Sequence, residues 1–403
     1  MNKSTFFTGQ PIFSQLIKLI PSTIISRAVL DNSSDRYSKK FDTYHHLITM
    51  LYCCYQHCTS LREVVSGMGA CEGRLQSLGI TYLPARSTLS EANMRRSYQT
   101  FEQIYYTLYK RYHDFLPDSR QDKLSRRLVI IDSTTISLFQ EILKGTGIRG
   151  LNGRKKGGIK VHTAMRAHED VPYLLRFSSA ASADVSFLEH VHLPEGSIAV
   201  MDRGYNSYKK LHEWSLTGVD WVTRLRADSK YEVIAEQLVT EEQRALGVRR
   251  DQYIKLGFKN NTIQQVDARI VRFYDQDSKR EFAFMTNNRE WNPYKVAEIY
   301  KRRWKIELLF KRLKQNMPLT YFLGDNENAI KIQIYCALIA DLLLKMATHG
   351  IKRKWAFSNL ASIVRLHLMN YTSLTKFLEQ PDKCRILNPV PELNIQLKLN
   401  LSG

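Results

Sequence analysis

The chain has 403 residues, 43% of them hydrophobic, with 59 Lys and Arg against 39 Asp and Glu, a formal charge of +20. That length supports two or three packed domains, and its six scattered cysteines exclude a small disulfide scaffold. So basic a chain points to a polyanionic partner, nucleic acid before an anionic surface.

A membrane span needs roughly 18–20 uncharged apolar residues. The best attempt, IYCALIADLLLKMATHG, contains Asp341 and Lys345 and reads as a buried helix. Gln15 and Lys18 interrupt the only stretch resembling a signal-peptide core. A cytoplasmic protein without a membrane partner is expected.

In chain order, residues 1 to about 120 read as helices. FDTYHHLITMLYCCYQHC has helical apolar spacing, SLREVVSGMG is a short helix ending in Gly, and RSTLSEANMRRSYQTFEQIYYTLYKRYHDF reads as one long helix with Thr88 and Glu91 as its capping box. Arg86, Arg95 and Arg96 make this region a candidate DNA-reading module, against a bundle with a solvated basic face. Cys54, His57, Cys58 and Cys71 lack the spacing of a common zinc module, and Cys54 and Cys58 share a helix face as small hydrophobes would.

The texture changes at RRLVIIDSTTISLF, an unbroken apolar strand. GGIKVHTAMRA, YLLRFSSA, GSIAVMDRGY and DWVTRLR are further strands, with helices at ADVSFLEHVHL and SYKKLHEWSLTG, which gives an α/β core. VDARIVRFYD and EFAFMTNN, joined by DQDSKR, read as a hairpin in a β-rich insertion. A long helix is expected over 293–314, a buried one over 327–348 and a last one over 357–379.

Three carboxylates stand out. Asp132 follows four apolar residues in LVIIDST, and Asp202 ends SIAVMDRGY in the same way. Ionised carboxylates there are costly unless partnered, and strand ends are where α/β sheets hold ligands. Glu307 is the one acid in YKRRWKIELLFKRLK among seven Lys and Arg. On a continuous helix Tyr300, Arg303, Glu307, Lys311 and Lys314 share one stripe beside the apolar face. The bland alternatives are helix-capping acids and an ordinary i, i+4 ladder. Carboxylates without His or Cys suit Mg²⁺ or Mn²⁺ rather than zinc, and two such ions can clamp a phosphoryl displacement.

Tyr300, Arg303, Glu307 and Lys314 form a Y-x2-R-x3-E-x6-K pattern that resembles the signature of DDE transposases of the insertion sequence 4 family. IDST and MDRGY resemble that family's two aspartate motifs, in the same order. The resemblance spans 125–350, with a weaker likeness at the N-terminus.

It implies an α/β (mixed) fold with an RNase H-like catalytic core, a β-rich insertion and an N-terminal helical domain. The expected parts are a DNA-binding region at 1–120, core at 121–222, insertion at 223–290, core again at 291–350 and a C-terminal helical region at 351–403. The implied activity is metal-dependent cut-and-paste transposition of an insertion sequence, through strand cleavage with a hairpin and strand transfer. A nuclease without strand transfer and a non-catalytic DNA-binding descendant are the alternatives. Asp132, Asp202 and Glu307 would be catalytic and hold two Mg²⁺, with Mn²⁺ as substitute. Tyr300, Arg303, Lys311, Lys314 and Arg203 would contact DNA, as would Lys155 and Lys156 of the glycine-flanked turn GRKKGG. Phe282, or else Trp291, would stack on a flipped base, against a core role for either. Lys160 and His162 share a strand face that could approach the site. The implied partners are terminal inverted repeats and target DNA, bound by a homodimer at the nucleoid of a bacterium.

Overall fold

The computed structural model describes residues 9–71, 73–116, 122–137, 158–257, 265–319 and 321–381. Six helices come first: α1 (Ile12–Ile17), α2 (Ser22–Asn32), α3 (Thr43–Gln56), α4 (Leu61–Gly69), α5 (Arg86–Arg95) and α6 (Tyr98–Tyr112). The side chains of Asp42 and Ser60 accept the His45 and Glu63 amides and so cap α3 and α4. The helix expected from Arg86 onward is two helices. Arg96 turns extended at φ −71°, ψ 126°, and Ser97 caps α6, while α5 starts after Ala85 without a side-chain cap. The break has a cause. Arg96 is drawn inward, and its guanidinium donates to Ser34 O, Ser38 Oγ and Phe41 O.

After α7 (Lys123–Arg127) come β1 (Leu128–Ser137), β2 (Gly158–Arg166), β3 (Pro172–Ser179), β4 (Ile198–Met201), α8 (Tyr208–Leu216) and β5 (Asp220–Arg224). Then follow β6 (Tyr231–Gln237), α9 (Glu241–Ala245), β7 (Val248–Leu256), β8 (Val266–Asp275) and β9 (Arg280–Thr286). Among the described residues the nine strands form one sheet in the order β3-β2-β1-β4-β5-β9-β8-β7-β6. Its first five strands have the RNase H-like arrangement: β1 to β3 are antiparallel, and β4 and β5 run parallel to β1. The expected hairpin is β8–β9, and β9 pairs with β5, so the β-rich segment continues the core sheet.

The chain closes with α10 (Pro293–Lys301), α11 (Trp304–Asn316), α12 (Glu327–Ala347), α13 (Phe357–His367) and α14 (Leu374–Glu379). The single helix expected over 293–314 is therefore broken. Around Arg302 and Arg303 the amides of Arg303, Lys305 and Ile306 bond three residues back, a tightened turn. The helix expected over 357–379 is broken too: the carbonyls of Leu368 and Asn370 accept the first amides of α1 instead.

Strand alternation sorts the core into two layers. Leu128, Ile130, Ile198 and Val200 face the helices α10–α12, while Val129, Ile131, Ala199 and Met201 face Phe187, Leu188 and α8. The unbroken apolar runs of β1 and β4 exist because both faces are covered. α12 is buried along most of its length and packs on α3 and α6 as well as the sheet side, so one apolar cluster joins the N-terminal helices to the sheet and its helices α10 and α11. Cys53, Cys54, Cys58, Cys71 and Cys336 are free and buried within it. Among the described residues no helix is long and apolar enough to cross a membrane.

Candidate active site

The sheet register places the two aspartates. Leu128 to Ile131 on β1 lie alongside Ile198 to Met201 on the parallel β4, with Ile131 opposite Met201. The next residue along each chain is an aspartate, so Asp132, in the middle of β1, stands beside Asp202, just past the end of β4, on neighbouring strands whose spacing is about 4.8 Å. Apolar packing on both faces fixes this register, since a slip of one residue would turn each strand inside out.

The third carboxylate arrives from the other side of the broken helix. Tyr300 ends α10 with its ring 4.8 Å from that of Phe284 on β9, and its hydroxyl donates to Asp202 Oδ1 at 3.2 Å. Arg303, in the tight turn, donates through Nη1 to Asp132 Oδ2 and through Nη2 to Glu307 Oε1 at 2.5 Å. Neighbouring Arg302 instead pairs with Asp122 at 2.7 Å. The turn thus aims one arginine into the site and the other at α7. Lys314 reaches across to Thr134 Oγ1 of β1 at 2.7 Å. The stripe expected of a continuous helix is in fact split, yet four of its members converge on β1 and β4; Lys311 is exposed.

Burial pushes the Asp132 carboxyl up to about 6, although Arg303 and the Ser133 amide oppose this; Asp202 and Glu307 raise it further as like charges. Burial likewise raises the Tyr300 phenol to about 12. Arg303 is half-buried, which works against its charge, but Asp132, Tyr300 and Glu307 outweigh this and hold it above the usual arginine range, and its Nε is buried without a partner.

Whether these residues fit divalent cations follows from the same observations. Among the described residues no three acids, histidines or cysteines stand close enough to enclose an ion, and the Arg303 guanidinium bridges Asp132 and Glu307. The donor chemistry fits: Asp202 and Glu307 both act on Asp132 as like charges, the three side chains offer hard oxygens, and a cation already sits between two of them. Asp132, Asp202 and Glu307 are the carboxylates that could hold such an ion.

The other expected residues lie at varying distances from this centre. Arg203 is exposed in the turn after Asp202. Phe282 is half-buried, stacked on Phe284 at 5.8 Å with the Arg224 guanidinium 5.1 Å from its ring, so it stands one ring beyond Tyr300. Trp291 packs against the core, and its carbonyl accepts from Arg269. Lys155 and Lys156 lie outside the described residues.

Two features escaped the sequence reading. Asp184 is a fourth carboxylate at the site's edge. It accepts from Ser133 Oγ at 3.2 Å and from Lys160 Nζ at 3.1 Å, and a Cβ on Gly204 would lie 3.0 Å from its Oδ2. His162, buried, bonds Tyr205 at 3.1 Å and Ser178 at 2.8 Å and stacks on Phe187, so Lys160 and His162 do approach the site. No apolar strand precedes Asp184, so the signal that marked Asp132 and Asp202 was missing. The second feature is Trp304, 58% exposed at the start of α11 beside Arg303. An apolar residue inside a helix pattern is read as core unless the face it occupies is known.

The family model described as "Transposase DDE domain" matches residues 123–343, more than half of the chain, and a domain of unknown function (DUF4372) matches 8–81. A "Putative transposase y4zB" from Sinorhizobium fredii is 29% identical over 272 residues, covering 66% of this chain and 72% of that protein. A "Putative transposase for insertion sequence element IS4SA" from Synechocystis is 28% identical over 270 residues, covering 64% and 71%. Among solved structures, a piggyBac transposase synaptic complex with hairpin DNA aligns over 94% of this chain and 81% of that one, with 11% identity and a TM-score of 0.43. Because the transposase profile spans the sheet and all three carboxylates, the chain belongs to the DDE transposase family, enzymes that act on DNA with divalent metal ions, and within it to the insertion sequence 4 group.

Proposed function

We propose that this transposase moves an insertion sequence by cut-and-paste, with Asp132, Asp202 and Glu307 as its catalytic carboxylates. The observation that carries the reading is the register of β1 and β4, which delivers two aspartates side by side to the place where Arg303 brings Glu307. When bound, two Mg²⁺, or Mn²⁺ in their place, supply charge neutralisation and a more acidic attacking water or hydroxyl. The protein's own residues supply position and field. Tyr300 keeps Asp202 oriented through its hydroxyl, and Lys314 adds positive charge beside Thr134. Arg303 exchanges its carboxylates for a phosphate of the scissile strand, and Arg203 and Lys311 grip the flanking backbone, as would Lys155 and Lys156. Phosphoryl transfer is mostly positioning and electrostatics, so this set is sufficient in kind.

In the proposed sequence one strand is cut at the element's end, the freed 3′-OH attacks the opposite strand to close a hairpin, and the reopened end joins target DNA. Phe282, whose ring continues the aromatic row through Phe284 to Tyr300, stacks on a displaced base in this reading. The helical N-terminal region to about 120 binds the terminal inverted repeats, the 223–290 segment shapes the end, and two copies bridge the two ends at the nucleoid.

The test is cleavage and capture. With Mg²⁺, the wild-type chain should nick DNA bearing the native ends and then insert it into a target plasmid, and Asp132→Ala should do neither. Nicking without capture would reduce the reading to a nuclease. Equal behaviour of the two proteins would overturn the site.

A further inference from the structure

The N-terminal region contains a shaped basic surface. α5 is strongly polar, and only Leu89 and Asn93 are buried on it. It stands as a ridge between two concavities. One, of about 610 Å³, lies between α5 and the loop 34–41, lined by Arg36, Tyr37, Lys39, Lys40 and Arg95. The other, of about 720 Å³, lies between α5 and α4, with Arg62 on one wall and Arg86 and Met94 on the other. The acids nearby are committed: Glu91 pairs with Arg95 at 2.7 Å, and Glu63 takes the Thr59 amide and hydroxyl.

Both walls are held rigidly. On α12, Asn328 donates to the carbonyls of Asn93 at 2.9 Å and Arg96 at 2.8 Å and accepts the Tyr98 amide at 3.0 Å, which fixes the end of α5. The buried Arg96 guanidinium fastens the loop 34–41 to the same point. Arg96 therefore builds the surface and does not touch the ligand. On that loop Tyr37 is 88% exposed and sits at φ +68°, a left-handed conformation that is costly for a tyrosine. The Arg36 guanidinium lies 5.1 Å over its ring.

We infer that α5 enters the major groove of B-form DNA, with the two phosphate backbones resting in the flanking concavities. This rests on the proposed reading that the N-terminal region binds DNA. A helix about 10–12 Å across fills a major groove about 12 Å wide, and the backbones bordering that groove then fall on either side of the helix. Here those sides are cationic and concave. The crest of the ridge is the Glu91–Arg95 pair, which lines both concavities and faces the base edges, while Lys39, Lys40 and Arg62 face phosphates. Double-stranded RNA does not fit, because its major groove is too narrow to admit a helix. The α2–α3 loop and α4 belong to the segment matching a domain of unknown function, to which this assigns a backbone clamp.

The test selects bound duplexes from a randomised library with the full chain carrying Asp132→Asn. One variant, Glu91→Gln/Arg95→Gln, which leaves the net charge unchanged, should keep the salt dependence of binding but lose or change the enriched motif. A second, Lys39→Gln/Lys40→Gln/Arg62→Gln, should keep the motif, bind every duplex roughly tenfold or more weakly, and lower the salt slope by about 0.9 per lost contact. Lys39→Arg/Lys40→Arg should behave as the parent, which separates lost charge from lost fold. A motif and slope unchanged in both variants would overturn the inference and leave the DNA reading standing. A parent chain that binds no duplex would overturn both.

Discussion

Arg312 sits on the face of α11 turned away from the catalytic pocket, and replacing it tests what holds Glu307's helix in place. Its Nε donates to Asp341 Oδ1 at 3.0 Å, and Nη1 pairs with Asp170 at 2.5 Å. Lys345 completes the group, 3.0 Å from Asp170. Asp341 is 1% exposed while Asp170 keeps 36% of its side chain exposed, and the two acids balance the two cations. Arg312→Leu keeps the aliphatic stem but leaves a net negative charge beside α12. Removing one partner of a buried pair costs about 3–5 kcal/mol. Arg312→Leu/Asp341→Leu restores neutrality with the Lys345–Asp170 pair intact, and apolar replacement of a whole pair is about neutral, so the double variant should recover at least ~2 kcal/mol. Urea unfolding followed by circular dichroism and tryptophan fluorescence measures both. A single variant costing less than ~1 kcal/mol, or a double variant as unstable as the single, would refute the claim that this network anchors α11.

Other expectations follow from particular contacts. His46 is fully buried, bonded to Asn93 at 2.8 Å, and burial depresses its imidazole to about 3. The unfolded chain takes up that proton near pH 6.5, so this stability is complete above 6.5 and falls by about 1.4 kcal/mol per pH unit below it, toward pH 3. His46→Met should flatten that part of an acid-unfolding profile, and an unchanged profile would count against neutral burial. Gly204→Val would press a side chain onto Asp184 Oδ2 and disturb the exit of Asp202. DNA cleavage should drop by at least tenfold while the melting temperature moves little, and full cleavage would show the turn is tolerant. Tyr300→Phe removes the hydroxyl on Asp202 but keeps the ring on Phe284, so cleavage should fall roughly tenfold with unchanged DNA affinity, a typical cost of about 1–1.5 kcal/mol for one hydrogen bond.

The sequence showed most clearly what burial dictates. β1 and β4 announce themselves as apolar runs because the sheet is covered on both faces, and the acids ending those runs were conspicuous for the same reason. The hairpin β8–β9 and the buried α12 were equally plain. Helix continuity was not. Periodicity through Arg96 and through Arg302–Arg303 says nothing of a guanidinium that finds its partners far along the chain, at Ser38 and Phe41 or at Asp132 and Asp122, and bends the backbone to reach them. Asp184 was illegible because its role depends on Ser133, Lys160 and Gly204, which only the folded sheet brings together.

The most direct measurement replaces one proposed metal ligand by a softer one. Asp202→Cys should abolish DNA cleavage with Mg²⁺ and regain part of it with Mn²⁺, which accepts a thiolate more readily, while Asp202→Ala stays inactive with both ions. Cleavage by Asp202→Cys that matches wild type in Mg²⁺, or the same loss in both metals for Cys and Ala alike, would contradict a metal-holding role for Asp202 beside Asp132 and Glu307.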